Sequence, residues 1–195
     1  MIPAFNHSHV LPPFEGERLT SAHSSPYVVT AGELVQRFVV NAGRSTIVDG
    51  LFLYRAELRS LGFVQGFQWL DGSFVEDVET REGRAPKDID IVTFAHPPAG
   101  MSKAQINDMM RSRPDLFDQD LCKKGFHCDT TVVNLSTSPE WLVTQTRYWY
   151  GLYSHRRGDA LWKGMLQLPL DSDDIAGREM LAAMTFQGES DAGAA

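Results

Sequence analysis

Several features that mark specialised protein classes are scarce or absent in this sequence. It has two cysteines, Cys122 and Cys128, which predict neither a disulfide framework nor a Cys₄ zinc site and suggest a reducing compartment. No apolar run approaches the roughly 20 residues that span a bilayer. The first residues also lack the charged-then-apolar pattern of a secretory signal. These absences predict a cytoplasmic protein with no membrane partner.

Positive charge is also scarce. The chain has 18 Lys and Arg against 25 Asp and Glu, a formal net charge of −7. That balance argues against a protein that binds long nucleic acid through its overall electrostatic field. It leaves room for a local basic groove or a small substrate. The hydrophobic content of 43% is ordinary for a protein that buries a core, so we expect one globular domain.

Composition divides the chain into three segments. Residues 1–29 contain several prolines and little periodicity, which predicts an extended arm lying on the domain. Residues 30–170 carry helix and strand patterns and predict an α/β (α+β) domain, a small mixed sheet with helices packed on one face. Residues 171–195 predict a short helix near 175–186 and then a disordered tail.

Local signals place the main helices and strands. Residues 30–33 and 102–105 have the capping-box pattern, and Ser138 precedes a proline suited to the first helical position. Gly43 is predicted to end the first helix, and Gly62 the second, amphipathic one. The predicted strands cover residues 66–73, 88–94, 126–135 and 161–168.

Two aspartates flank Ile89 at the start of a predicted strand. Residues two apart on a strand point to the same face, so Asp88 and Asp90 would present their carboxylates side by side while Ile89 faces a core. Such carboxylates repel each other unless a cation lies between them, and Mg²⁺, which also binds nucleotide phosphates, is the usual one. A two-metal site needs a third carboxylate, for which Asp129 on the next predicted strand is the best candidate.

The pair Gly72–Ser73 follows the end of another predicted strand. Glycine lets backbone N–H groups approach a ligand closely, and serine adds a hydroxyl donor. Lys163, just before Gly164 on the last predicted strand, is a further candidate for a phosphate contact. The alternative for Lys163 is a solvated strand edge.

This ordered set of residues resembles the polymerase-β-like nucleotidyltransferase superfamily over roughly residues 45–135. The shared pattern is Gly-Ser, then Asp-x-Asp on a strand, then a single Asp on a later strand. The chain also resembles small bacterial nucleotidyltransferase-like proteins over most of its length, through stretches that include Trp69–Phe74 and Lys163–Gly164.

The resemblance implies an Mg²⁺-dependent enzyme that transfers NMP from a nucleoside triphosphate to an acceptor. The acceptor would be a protein, an RNA or a small molecule, in a toxin–antitoxin or phage-defence setting. Gly72 and Ser73 would hold the triphosphate. Two Mg²⁺ ions would be held by three carboxylates, those of Asp88, Asp90 and Asp129.

Two other hypotheses stay open. Four acidic residues between positions 76 and 82 favour a catalytically degenerate nucleotidyltransferase fold that acts as a nucleotide-sensing or partner-binding module. The third hypothesis is an interaction protein whose carboxylates form a solvated sheet face.

Three further features carry weaker predictions. Residues 75–87 are predicted to form a polar loop, which is solvated unless Arg81, Arg84 or Lys87 contacts phosphate. Strand alternation places His127 on the face of Asp129. The aromatic residues between positions 148 and 153 either stack on a nucleobase or close a core.

Overall fold

A computed structural model describes residues 2–16 and 23–186. Its strands form one mixed five-stranded sheet, with the order β1-β5-β2-β3-β4. The strands are β1 (Tyr27–Val28), β2 (Gly66–Asp71), β3 (Ile89–Ala95), β4 (Cys128–Asn134) and β5 (Leu166–Pro169). Strand β2 is antiparallel to β3 and β5, whereas β3 is parallel to β4 and β1 is parallel to β5. The α/β prediction with a small mixed sheet is confirmed.

Helices make up most of the remaining structure. They are α1 (Ala31–Phe38), α2 (Ala42–Ser60), α3 (Val78–Glu82), α4 (Lys103–Ser112), α5 (Pro114–Phe117), α6 (Gln119–Phe126), α7 (Pro139–Tyr153) and α8 (Asp174–Ala182). Both predicted capping boxes form, and Ser138 caps α7 as expected. Within residues 2–16 and 23–186, no helix has the length and apolar character needed to cross a membrane. The tail predicted for the end of the chain lies, from residue 187 on, outside the described residues.

Three local predictions are wrong for identifiable reasons. Gly43 does not end α1, because the Asn41 side chain accepts a hydrogen bond from the Arg44 backbone N–H and starts α2 before Gly43. Residues 75–87 do not form a continuous polar loop, because α3 occupies Val78–Glu82 within this segment. The last strand begins only at Leu166, because the Gly164 backbone N–H instead bonds the Leu11 carbonyl at 2.7 Å.

Both faces of the sheet are covered, so the prediction of helices on one face is wrong. The larger core contains residues of α1, α2, α5, α6 and α8 and the inward residues Leu70 and Ile91. The opposite face carries Trp69, Val92 and Phe94, which pack with residues of α7. Apolar residues at successive strand positions therefore face both ways, as in a strand that is buried on two sides.

The N-terminal segment runs against the domain and supplies β1. Val10 and Leu11 are fully buried. The His9 carbonyl accepts a hydrogen bond from the Asp77 backbone N–H at 3.0 Å, and Val10 forms an isolated β-bridge with Glu76. These contacts place the segment beside the turn that follows β2, where the predicted phosphate-binding pair lies.

Candidate active site

A row of aspartates crosses one end of the sheet. In the strand register, Asp71 of β2 lies opposite Asp90 of β3, and Asp90 lies opposite Asp129 of β4. By strand alternation all three share the sheet face covered by α7, and Asp88, directly before β3, falls on the same face. The structure thus brings the three predicted carboxylates together and adds Asp71, for which no role was predicted.

These four aspartates line a cleft of about 310 Å³, here called the aspartate cleft. Gly72 and Ser73 form part of its wall, and so does Lys163. The opposite side comes from the end of α7 and the residues after it. Its lining also includes Glu76, Arg81, Glu82, Arg84, Lys123, Tyr153 and Arg157. All predicted site residues therefore border one cleft.

Gly72 is required where it stands. Its φ of +81° lies in a region that side-chain-bearing residues rarely adopt, and a Cβ on it would lie 2.5 Å from Asp90 Oδ2. The chain then turns directly into the 3₁₀ turn that Ser73 begins. The turn therefore packs directly against the central carboxylate of the row, and Ser73 stays partly exposed to the cleft.

Lys163 lies beneath this turn and is only 2% exposed. Its Nζ lies 3.0 Å from Asp71 Oδ1 and 2.8 Å from Glu76 Oε1, and it donates a hydrogen bond to the Gly72 carbonyl at 3.3 Å. Burial alone would lower the pKa of this amine, but the two carboxylates outweigh it and raise the pKa. The predicted alternative of a solvated strand edge is wrong, because Lys163 joins the residues on both sides of the turn.

The carboxylates of the row differ in how much positive charge lies next to them. Burial raises the pKa of Asp71 to about 7, against the opposing effect of Lys163. Asp71 Oδ1 has the ammonium nearby, yet forms no hydrogen bond of good geometry. Burial and then repulsion from Asp129 raise the pKa of Asp90. Asp90 forms no ion pair with any residue that the structure describes, so negative charge is in excess at the centre of the row.

Lys123 of α6 occupies the other end of the row. Its Nζ lies 2.8 Å from Asp88 Oδ2 and 3.4 Å from Asp129 Oδ2, so it bridges two of the predicted metal ligands. Sequence reasoning missed this residue, although its place in the last turn of the helix before β4 was a usable signal. In the described ranges no group of three or more His, Cys, Asp and Glu side chains is arranged to hold a metal ion. The carboxylate oxygens suit Mg²⁺ in type, but the Lys123 ammonium lies between two of these side chains.

The remaining charged side chains of the cleft mostly have acidic partners. Arg81 pairs with Glu76 and Glu82, and Arg84 pairs with Glu82. Arg157 lies close enough for its charge to oppose the rise in the Asp90 pKa. The segment predicted to be a solvated loop therefore forms a charged wall of the cleft.

The aromatic cluster mainly closes a core. Trp149 and Tyr150 pack against the core on the α7 face, where Tyr150 makes an edge contact with Trp69. Tyr153 is buried and lines the cleft, and burial together with Asp90 raises its pKa. Tyr148 is 55% exposed and does not line the cleft. The packing hypothesis thus accounts for three of the four rings.

His127 does not lie on β4, so the prediction that it shares a strand face with Asp129 is wrong. It caps the C-terminus of α6 with a φ of +55°, which breaks the alternation before the strand begins. Cys128 is fully buried, and burial raises the pKa of its thiol, as expected for a core residue.

Comparison with known proteins gives a family but no described relative. The chain belongs to a family of unknown function (DUF6932), whose model matches residues 3–169. No curated protein and no solved structure matches the chain. The matched region includes the N-terminal segment and every residue of the aspartate cleft discussed above.

Proposed function

We propose that this member of the DUF6932 family is an Mg²⁺-dependent nucleotidyltransferase, which transfers NMP from a nucleoside triphosphate to an acceptor hydroxyl. The observation that carries the proposal is the register that aligns Asp71, Asp90 and Asp129 across three neighbouring strands. The Gly72–Ser73 turn packs directly against the central member of this row. A phosphate-binding turn beside an excess of carboxylates suits a metal–nucleotide complex.

Each residue then has a stated part in the reaction. Asp88, Asp90 and Asp129 are the ligands for Mg²⁺, which when bound would offset phosphate charge and make the acceptor hydroxyl more acidic. Gly72 and Ser73 position the β- and γ-phosphates. Asp129 takes the proton of the acceptor hydroxyl, whose oxygen bonds the α-phosphorus as the bond to pyrophosphate breaks.

The acceptor is a small molecule or a protein side chain in preference to long nucleic acid. The cleft of about 310 Å³ is small, and the chain carries a net charge of −7. An RNA end presented singly is the remaining acceptor class. A toxin–antitoxin or phage-defence setting stays part of the proposal, and its support is the sequence resemblance alone.

One observation favours a second candidate, a module that binds nucleotide without turnover. Lys123 already provides a cation between Asp88 and Asp129. If this ammonium stays in place, the cleft can bind phosphate groups while it lacks the ligands for two metal ions.

The test is thermal unfolding of the wild type and of Asp88→Asn/Asp90→Asn with ATP, GTP, CTP and UTP, with and without Mg²⁺. A ligand at about 100 times its dissociation constant adds about 2.7 kcal/mol, a visible rise in melting temperature. We expect an Mg²⁺-dependent rise for the wild type that the double variant loses.

Asp49→Asn/Asp108→Asn is the matched control, because both aspartates are exposed and neither lines the cleft. It should keep the full nucleotide response. Pyrophosphate release then separates the enzyme from the binding module. The absence of any nucleotide response in the wild type contradicts both candidates.

A further inference from the structure

We propose that Lys123 is the resident counter-ion of the aspartate cleft, and that a divalent cation enters by displacing Lys123 from Asp88 and Asp129. The inference rests on the proposed function, because it takes these aspartates as cation ligands. It adds a property of that site, a competition between a side chain of the protein and the metal.

The competition follows from the positions of the charged atoms. Lys123 Nζ lies 2.8 Å from Asp88 Oδ2 and 3.4 Å from Asp129 Oδ2. A bound Mg²⁺ would need carboxylate oxygens at roughly 2.0–2.1 Å. An ammonium and a divalent cation that use the same oxygens repel each other strongly at such separations. The two occupants therefore exclude one another.

Lys123 is the lysine of the cleft that can leave it. Its side chain is 46% exposed, whereas that of Lys163 is 2% exposed and contacts Asp71, Glu76 and the Gly72 carbonyl. A lysine ammonium is strongly hydrated and sits on a flexible four-carbon stem. Exposed ion pairs contribute little to stability, so releasing Lys123 into water costs little. Displacing Lys163 in the same way would leave the buried carboxylate of Asp71 without its cation.

The charge balance of the four aspartates favours the exchange, because Lys123, Lys163 and Arg157, the cations that act on them, carry one charge fewer. Lys163 faces Asp71, and Lys123 faces Asp88 and Asp129, while Asp90 forms no ion pair among the described residues. Replacing one positive charge with two brings the row closer to neutrality. In the absence of metal, Lys123 limits the repulsion between the ends of β3 and β4.

The experiment measures Mn²⁺ binding, without nucleotide, by titration calorimetry and by the loss of the free-Mn²⁺ electron paramagnetic resonance signal. Lys123→Met and Lys123→Gln remove the competing charge. We expect both to bind Mn²⁺ about threefold to fivefold more tightly than the wild type, the upper part of the range that one exposed ion pair can contribute.

Lys124→Met is the matched control, because Lys124 is the next residue of α6, is exposed and forms no ion pair that the structure describes. It makes the same charge change without freeing a carboxylate, and its Mn²⁺ affinity should stay within about twofold of the wild type. Asp88→Asn/Asp90→Asn should abolish binding, which locates the ion.

The outcomes separate this inference from the function on which it rests. If both Lys123 variants bind Mn²⁺ no more tightly than the wild type, or if Lys124→Met gains as much, the exchange is overturned while the metal-dependent function stands. If neither the wild type nor any variant binds Mn²⁺, the exchange is overturned, and the function is then decided separately by the unfolding test with nucleotide and Mg²⁺. Tighter binding in the Lys123 variants alone, lost on mutation of the aspartates, supports the exchange.

Discussion

Two charged clusters lie on opposite faces of the same sheet, and they are built in opposite ways. On the α2 face Arg55 is fully buried and donates hydrogen bonds to Asp174, Gln68, Ser172 and the Pro169 carbonyl at 2.6–3.0 Å. On the α7 face the four aspartates of the cleft exceed their lysine partners, and Asp90 has no ion pair within the described residues.

The difference distinguishes a structural cluster from a functional one. Buried polar groups are normally all paired, as they are around Arg55, because an unpaired one costs its full desolvation free energy. Unpaired charge persists where a bound ligand supplies the opposite charge, and such exceptions concentrate at functional sites. The Arg55 cluster therefore stabilises the fold, whereas we propose that a bound ligand completes the charge balance of the aspartate row.

Breaking the Arg55 cluster should have the largest effect. Arg55→Met leaves Gln68 Oε1 and the Pro169 carbonyl without their donor and leaves Asp174 with Arg59 as its remaining arginine, and we expect it to lower the free energy of unfolding by about 3–5 kcal/mol. Urea denaturation followed by circular dichroism measures this change. Arg147→Met, at an exposed position of α7, is the control and should stay within about 0.5 kcal/mol. A loss below about 1 kcal/mol for Arg55→Met would remove the contrast between the clusters.

Lys163 tests whether one part of the aspartate cleft is structural. Lys163→Met leaves Asp71 and Glu76 without this ammonium, and we expect a loss of about 3 kcal/mol in urea denaturation. Asp71→Asn combined with Lys163→Met should recover part of that loss, because the two side chains are coupled. If Lys163→Met instead keeps full stability and loses only nucleotide binding, Lys163 is a phosphate ligand and does not hold the turn.

Asp90 should give the smallest effect, and one of opposite sign. Its pKa in the folded protein is raised above the ordinary 3.8, so the stability that this group contributes is present below that pH and is lost as pH rises. Asparagine resembles the protonated acid and does not suffer this loss. We therefore expect Asp90→Asn to stabilise the protein by about 1 kcal/mol at pH 8 and to change little at pH 4.

Urea denaturation at pH 4, 6 and 8 checks this sign. Asp71 contributes in the same direction, and its loss runs from the ordinary pKa of 3.8 up to its folded pKa of about 7. The 75%-exposed Asp108 supplies the control, and Asp108→Asn should show no comparable gain between pH 4 and pH 8. Destabilisation by Asp90→Asn at pH 8 would mean that this carboxylate has a native partner and that the two clusters are alike.

Features that depend on neighbouring residues were predictable from the sequence. Strand parity alone puts Asp88 and Asp90 on one face, and the caps at Thr30 and Ser102 need only residues three positions away. The prediction that Gly43 ends α1 was wrong although it also used neighbouring residues, because Asn41 caps the start of α2 two residues earlier.

Features that depend on the register of distant strands were not predictable. Asp71 stands beside the Gly72–Ser73 pair in the sequence, but its place in the row follows from the pairing of β2 with β3. Lys163 meets residues about 90 positions earlier in the chain, and no local pattern signals that its side chain is buried. Lys123 is closer in sequence to its partners Asp88 and Asp129, yet a helical lysine is most often solvated.

The position of β5 has a consequence for how the protein is made. Among the residues that the structure describes it is the last strand in sequence, but it lies between β1 and β2 in the sheet. On the ribosome, all four aspartates therefore emerge before Lys163, and β2 keeps one unpaired edge until residue 169 has been synthesised. Such edges recruit other strands, so a nascent chain that stalls before β5 is exposed to misassembly. The cleft is complete only once this strand has been inserted.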